Sequence, residues 1–132
     1  MVKTHGMTHI ALAVQDAERS LRFYQAVLGV VPVYRSPGTI QAQTPGSRDV
    51  LVFEEGRPRV GAAGGIVHFG FRLVDPADID EAVHAVERAG GRVIERGEFC
   101  PGEPYVFFAD PDGYEVEIWH ELPTPVDPPA PA

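Results

Sequence analysis

Two histidines at matching positions of a repeated pattern are the residues of this chain best suited to chemistry. THIALAVQD (8–16) and VHFGFRLVD (67–75) each alternate in the way that a half-buried strand does. In each stretch a histidine, His9 or His68, lies seven residues before the aspartate that ends it. Imidazole is a common metal ligand and titrates near neutral pH. An anionic group beside this pair would complete a metal site.

Strand parity limits which carboxylates can join the histidines, because alternate residues of a strand share a face. In the first, fifth and last strands the bulky apolar residues share one face, which we assign to packing against helices. The histidines fall on the other face, and in the last strand so do Glu115, Glu117 and Glu121, whereas His120 does not. Ionisable groups clustered on an inner wall cost several kcal/mol without a cation. The pattern therefore leaves two alternatives, a metal site or hydrogen-bonded and surface histidines beside solvated glutamates, and parity alone does not choose the glutamate.

The elements that carry these residues form an internal repeat. An amphipathic helix follows each aspartate, in AERSLRFYQAVLG (17–29) and in PADIDEAVHAVERAGG (76–91). Three strand-like runs follow each helix; they are 31–35, 39–44 and 49–55, then 92–96, 104–109 and 114–121. The order β-α-β-β-β thus occurs twice. A segment rich in Gly and Ala, 56–65, joins the two copies.

The composition limits the partners and the compartment. The chain has 132 residues, is 44% hydrophobic and carries a net charge of −8, which argues for a globular protein and against nucleic-acid binding. No stretch approaches the roughly 20 apolar residues that cross a bilayer, and the N-terminus lacks the apolar core of a signal peptide. One cysteine, Cys100, allows no internal disulfide. We expect a cytoplasmic protein with no membrane partner, and a disordered, proline-rich tail over 122–132.

Three stretches resemble a known superfamily. They are MTHIALAVQDAERSLRFYQAVLG (7–29), GGIVHFGFRLVD (64–75) and FFADPDGYEVEIWHE (107–121). They are similar to the vicinal oxygen chelate superfamily, which includes glyoxalase I, extradiol dioxygenases, fosfomycin-resistance transferases, methylmalonyl-CoA epimerase and bleomycin-resistance proteins. The resemblance implies one α+β domain. Its two βαβββ modules, about 7–56 and 65–121, would curl into half-barrels of mixed sheet, with about 8 strands and 2 main helices.

The resemblance also implies a site and a function. The family's ligand positions fall on His9, His68 and Glu117, which would hold one divalent metal ion: Fe(II), Zn, Ni or Mn. A small-molecule substrate with two neighbouring oxygens would occupy the open coordination positions. The expected protein is a homodimeric enzyme, a glyoxalase-like lyase or a dioxygenase-like oxidoreductase. The alternative is a non-catalytic protein that sequesters a small molecule or antibiotic, as bleomycin-resistance proteins do.

The candidate catalytic residues differ between these branches. Glyoxalase-type enzymes need a further glutamate ligand on the fourth strand, where this chain offers Glu54 and Glu55 at the strand end. Either would be the ligand or a base, unless both are solvated charges. Extradiol enzymes carry a tyrosine where this chain has Phe107, and an upstream histidine that 85–119 lacks. Tyr105 shares the strand face of Phe107 and is either a substitute acid–base group or a packed aromatic.

Four residues are candidates for substrate binding: Gln41, Gln43, Arg72 and Phe107. The two glutamines share a strand face, and the alternative is that they are polar residues of an edge strand. Arg72 lies on the His68 face and either binds an anionic group or pairs with an acidic neighbour. The loops that line the site set the choice of substrate.

Overall fold

The structure is a computed structural model that describes residues 1–123. The predicted disordered tail, 122–132, lies outside the described residues except for its first two. The chain divides into two compact units, the first Met1–Ala62 and the second beginning at Ala63. Within the described residues there are two α-helices and eight strands, in two open four-stranded mixed sheets. The expected α+β fold with two βαβββ modules is therefore confirmed.

The first unit has one helix on one face of its sheet. In chain order its elements are β1 (His9–Ala13), α1 (Ala17–Leu28), β2 (Val31–Ser36), β3 (Thr39–Gln43) and β4 (Val50–Glu54). The sheet order is β1-β4-β3-β2, with β1 parallel to β4 and the other pairs antiparallel. The ring of Tyr24 from α1 stacks on that of Phe53 from β4 at 5.4 Å, and both are fully buried. The helix therefore covers the Phe53 face.

The ends of α1 follow from single residues. The side chain of Asp16 accepts a hydrogen bond from the backbone N–H of Arg19 at 3.1 Å, which satisfies one of the free N–H groups of the first turn. Gly29 ends the helix in the left-handed conformation, with φ of 70°, and its N–H donates to the carbonyl of Gln25. The helix predicted within 17–29 therefore ends at Gly29 because of the positive φ of this glycine.

The second unit repeats this arrangement. Its elements are β5 (Phe69–Arg72), a 3₁₀ turn (Pro76–Asp78), α2 (Ile79–Arg88), β6 (Arg92–Glu98), β7 (Pro104–Ala109) and β8 (Glu115–Trp119). The sheet order is β5-β8-β7-β6, with β5 parallel to β8. The helix α2 lies against β6, β7 and β8. No helix among residues 1–123 combines the length and the apolar character that crossing a bilayer requires.

Several strands are shorter than the alternating sequence predicts. β5 covers Phe69–Arg72 rather than 67–75, so His68 lies just before its strand. β8 ends at Trp119, so His120 lies beyond the strand; its N–H donates to the carbonyl of Pro104 at 3.0 Å. Alternation of residue types continues past the positions where a neighbouring strand is available, and pairing decides the boundary.

Candidate functional site

The pairing register places the candidate ligands of the second unit on one face of its sheet. Gly70 of β5 pairs with Glu117 of β8, and Glu117 pairs with Phe107 of β7. The next positions along these strands hold buried apolar residues, among them Val106, Val116 and Ile118. Side chains of directly paired residues point to the same side. The sheet therefore has an apolar core face and a second face that carries Glu117.

His68 and Glu117 lie together on this second face. The His68 Nε2 atom is 3.8 Å from the Glu117 Oε1 atom, which is too long for a hydrogen bond. Among the described residues, no N–H or O–H group donates a hydrogen bond to the Glu117 carboxylate, although this residue is only 7% exposed. Burial raises the pKa of the Glu117 carboxyl, and the charge of a protonated His68 would oppose that shift. Glu117 is thus a buried carboxylate that, among residues 1–123, has His68 as its ion-pair partner and no hydrogen-bond donor.

Burial distinguishes Glu117 from the other two glutamates that parity places on the same face. Its side chain is 10% exposed, against 35% for Glu115 and 37% for Glu121. Glu115 also approaches His68, with 3.9 Å between its Oε2 atom and the imidazole Nδ1 atom. A solvated carboxylate without a partner costs little free energy, whereas a buried carboxylate without a partner destabilises the fold.

The separation of His68 and Glu117 fits a shared cation. A divalent ion held about 2.1 Å from each ligand atom can lie between two atoms less than about 4.2 Å apart. The facing position is Gly70, where a Cβ atom would lie 3.4 Å from the Glu117 Oε1 atom. Glycine therefore leaves open the space beside the carboxylate. Residues 1–123 nevertheless contain no group of three His, Cys, Asp or Glu side chains close enough to hold a metal.

His9, the third predicted ligand, belongs to the first unit. It opens β1 on the face opposite the buried Leu12, and the paired residues of β4 on its face are Val50, Val52 and Glu54. Its Nδ1 atom is 2.6 Å from the hydroxyl oxygen of Thr8. A partner on one ring nitrogen orients an imidazole and leaves the other nitrogen for a metal, as is usual for histidine ligands.

The structure separates the roles of Glu54 and Glu55. Glu54 pairs with Ala13 of β1 and so shares the face of His9, where its Oε2 atom accepts a hydrogen bond from Arg57 Nε at 3.1 Å. Glu55 turns toward α1, and its Oε1 atom accepts a hydrogen bond from the backbone N–H of Ala17 at 2.9 Å. A carboxylate at a helix N-terminus satisfies a free N–H and complements the helix dipole. Glu55 therefore has a structural task.

Separate substitution of Glu54 and Glu55 should show which of the two glutamates stabilises the fold. We expect Glu55→Ala to lower the stability by about 1 kcal/mol, because α1 loses its carboxylate cap. Glu54→Ala should change it by less than about 0.5 kcal/mol, because its partner is an exposed arginine. Thermal denaturation of both variants measures this; equal losses would contradict the assignment.

Gln41 and Gln43 lie on an interior strand, so the suggestion that they belong to an edge strand is wrong. β3 lies between β4 and β2. Gln41 pairs with Val52 of β4, which places it on the face of His9, and both glutamines are half-buried. The alternation of TIQAQ gave their common face but not the neighbours of the strand.

Arg72 and Phe107 both lie on the face that carries His68 and Glu117, and they make different contacts there. Arg72 pairs with Glu121, whose carboxylate oxygen is 3.4 Å from the Arg72 Nε atom. This is the acidic-neighbour alternative given above. The Phe107 ring contacts the His68 ring edge-on at 5.0 Å. Phe107 therefore forms an apolar wall against the imidazole.

Tyr105 is both packed and hydrogen-bonded. Its hydroxyl donates to Glu95 Oε1 at 2.8 Å, and its ring stacks on Phe99 at 4.2 Å. The bond to Glu95, followed by burial, raises the pKa of the Tyr105 phenol. The phenol therefore stays protonated at neutral pH, which suits a proton donor and not a base. A Cβ atom on the facing Gly97 would lie 2.9 Å from the Tyr105 hydroxyl, so only glycine gives the tyrosine this room.

Alternation within single strands does not reveal that Phe99, Glu95 and Gly97 are neighbours of Tyr105. The alternation of GEFCPGEPYVFF (97–108) around Pro101-Gly102 is typical of a hairpin, and pairing its arms would have brought Gly97 beside Tyr105. Phe99 lies in the connecting turn, which parity does not describe.

The whole-chain comparison decides the family. The model of the Glyoxalase/Bleomycin resistance protein/Dioxygenase superfamily matches residues 6–118. The chain belongs to this superfamily. The superfamily includes metal-dependent glyoxalases, dioxygenases and fosfomycin resistance enzymes, and its members commonly use a divalent metal. This membership confirms the resemblance to the superfamily.

Relatives from several branches of the superfamily resemble the chain to a similar degree. It is 32% identical over 125 residues to a protein of Pseudomonas aeruginosa, covering 89% of each. Against the lactoylglutathione lyase of Neisseria meningitidis it is 30% identical over 132 residues, covering 85% of this chain and 88% of that enzyme. Against the catechol-2,3-dioxygenase of Bacillus subtilis it is 28% identical over 131 residues, covering 93% of this chain but 45% of that enzyme.

A solved structure of the superfamily supports the fold. The fosfomycin resistance protein of Mesorhizobium loti superposes with a TM-score of 0.75 at 20% identity, covering 91% of this chain and 95% of that one. At this identity the likeness bears on architecture alone.

Proposed function

We propose that this protein is a metal-dependent enzyme acting on a small molecule with two neighbouring oxygens, with His9, His68 and Glu117 as the ligands. The observation that carries the proposal is the Glu117 carboxylate, which is 7% exposed and has, among the described residues, no hydrogen-bond donor and one ion-pair partner, His68, at 3.8 Å. A buried charge of this kind costs free energy unless a cation compensates it. A bound divalent ion would supply Lewis-acid chemistry to the substrate oxygens.

The residues of the chain itself contribute orientation and proton transfer. Thr8 orients the His9 ring, and Phe107 shields one side of His68 from water. Glu54, on the His9 face, is the proposed base or additional ligand, since its partner Arg57 is exposed and easily displaced. Tyr105, which is protonated at neutral pH, is the proposed proton donor.

Metal analysis tests this proposal and separates it from the sequestering alternative. Protein purified without oxygen should contain close to one Fe, Zn, Ni or Mn ion per chain, and His68→Ala should contain almost none. His84→Ala is the matched control, because this exposed histidine of α2 lies away from the proposed ligands. A wild-type protein that binds no metal tightly would reject the enzyme proposal.

Two assays then distinguish the enzyme classes suggested by the relatives. Oxygen uptake with catechols reports a dioxygenase, and isomerisation of a glutathione hemithioacetal reports a glyoxalase-like lyase.

Glu54→Gln should reduce a lyase activity by about 100-fold or more, the usual range for a general base. It should leave the metal content unchanged if Glu54 is a base alone. We also propose that the protein is a homodimer, and gel filtration with light scattering tests this.

A further inference from the structure

Gly70 is a strand residue whose backbone conformation does not require glycine. It lies within β5, and its φ is not among the positive values that favour glycine. Glycine weakens a strand, because it has no side chain to pack and loses more conformational freedom on folding than other residues do. Inside a strand it often marks a place that a ligand or another part of the chain approaches closely. The feature that glycine provides here is therefore the open space above its backbone.

That open space is bordered by Glu117. A Cβ atom at Gly70 would lie 3.3 Å from the carbonyl oxygen of Glu117 and 3.4 Å from both its Cβ and its Oε1 atoms. Apart from the adjoining residues of the chain, these are the three nearest heavy atoms. The two ends of the Glu117 side chain thus lie beside the same point. The side chain therefore lies across the bare backbone of Gly70, which is its directly paired residue on β5.

The same arrangement brings the Glu117 carboxylate to His68. The His68 Nε2 atom is 3.8 Å from the Glu117 Oε1 atom, although Glu117 is paired with Gly70, two residues further along the chain. The two side chains therefore meet diagonally, as residues two positions out of register can do on one face of a sheet. A side chain at position 70 would lie against both ends of Glu117 and turn the carboxylate away from the imidazole.

The internal repeat provides a comparison for this position. Ala11 is the corresponding residue of the first unit, two residues after its histidine, and it pairs with Val52 of β4. A Cβ atom is therefore present where the paired residue carries no carboxylate. Glycine occurs in the unit in which the paired residue is the buried Glu117. The difference between the two units follows the carboxylate and not the strand.

We propose that Gly70 is a positioning residue of the site: its bare backbone lets the Glu117 side chain lie across β5 and present its carboxylate beside His68. This inference rests on the proposed function, because that function assigns the carboxylate to a metal. It goes beyond the proposed function by giving a role to a residue that is not itself a ligand. Enlarging position 70 should weaken metal binding without weakening the fold.

Titration of Zn(II) against a chromophoric chelator, with two variants of Gly70, tests this inference. Gly70→Ala adds the Cβ atom alone and should weaken Zn(II) binding by about 10-fold, whereas Gly70→Val adds two further methyl groups and should weaken it by about 100-fold. Alanine is a better strand residue than glycine, so metal-free Gly70→Ala should be at least as stable as the wild type in urea. A variant that lost stability along with affinity would show that the glycine is structural.

Ala11→Val is the matched control, because it enlarges the corresponding position of the first unit, on the face of His9 but opposite Val52. We expect it to change the Zn(II) affinity by less than about 2-fold, the usual effect of a substitution that displaces no partner. A loss as large as that of Gly70→Val would show that crowding beside a histidine explains the effect. The role assigned to Gly70 would then be wrong.

Glu117→Asp tests whether Gly70 acts through the carboxylate, because aspartate is one methylene group shorter than glutamate. Alone, it should weaken Zn(II) binding by about 10-fold. Combined with Gly70→Val, it should increase the loss by less than about 2-fold, because the effects of residues in contact are not independent. Losses that multiply fully would contradict the positioning role.

The outcomes separate the two proposals. If the wild type binds Zn(II) and Gly70→Val binds it equally well, the role of Gly70 is overturned and the metal site stands. If the wild type binds no Zn(II), the metal site fails, and the role of Gly70 fails with it.

Discussion

Replacement of Glu117 by glutamine should stabilise the metal-free protein at neutral pH and abolish metal binding at the same time. Burial raises the folded-state pKa of this carboxyl above its ordinary value, so the folded protein holds the proton more strongly than the unfolded chain. The resulting loss of stability is therefore present above the folded-state pKa and disappears as the pH falls through that pKa toward the ordinary value of the unfolded chain. Glutamine removes the charge and should raise Tm at pH 8, with a shrinking advantage at lower pH.

Bound metal should make the wild type more stable than Glu117→Gln. At a metal concentration of 100 times Kd, the wild type should gain about 2.7 kcal/mol, or roughly 10 °C in Tm for a chain of this size. Glu117→Gln should gain less than about 2 °C, because loss of the anionic ligand should weaken binding by at least about 100-fold. Differential scanning fluorimetry with and without metal, from pH 4 to pH 8, measures both effects.

Glu115→Gln is the matched control for this experiment. It removes a carboxylate at a similar distance from His68, 3.9 Å, but one whose side chain is 35% exposed. We expect little change in either the metal-free stability or the metal-induced shift. A metal-free Glu117→Gln protein that is less stable than the wild type at pH 8 would show that the ionised carboxylate is compensated by the protein. Burial of Glu117 would then give no reason to expect a metal beside it.

Replacement of Asp110 by alanine is expected to cause a large loss of stability. The Asp110 Oδ1 atom accepts hydrogen bonds from three backbone N–H groups, those of Asp112, Gly113 and Tyr114, at 2.9 to 3.0 Å. Asp110 is 5% exposed, and Gly113 has a φ of 100° that a residue with a side chain rarely adopts. One carboxylate therefore holds the turn between β7 and β8 in shape.

Asp110→Ala should lower the stability by about 3 kcal/mol, because three N–H groups of a tight turn lose a charged acceptor. The expected fall in Tm is about 10 °C. Asp110→Asn keeps an oxygen at the accepting position and should lose less than half as much. Urea denaturation of both variants beside the wild type measures the difference. Equal losses for alanine and asparagine would show that the charge of the carboxylate, and not its accepting oxygen, maintains the turn.

The face of each strand could be predicted because parity is a local property. His9, Glu117 and Trp119 lie on the faces that alternation predicts, since successive side chains of a strand point to opposite sides whatever the fold around them. The stop at Gly29 was equally local, because one left-handed residue ends a helix. The two helices and the repeated β-α-β-β-β order follow from such local patterns.

The different roles of neighbouring residues depend on the pairing of strands that are distant in sequence. The sequence does not distinguish Glu54 from Glu55. The structure does, because β4 pairs with β1 and brings Glu55 to the N-terminus of α1. The interior position of β3, and therefore of Gln41, depended in the same way on which strands lie beside it. Registers of this kind are set by packing across the whole sheet, which alternation within one strand does not encode.

By itself, the sequence determined the repeat, the face of each candidate residue and, through its motifs, the superfamily. The tertiary structure decided burial: it enclosed the Glu117 carboxylate beside His68, with no hydrogen-bond donor among residues 1–123, and left Glu115 and Glu121 partly solvated. It also brought Phe99 onto Tyr105 and Trp119 across a hairpin turn. The reason is that parity depends only on neighbours along the chain. Solvent access and ring contacts depend on atoms that many residues of intervening chain bring together.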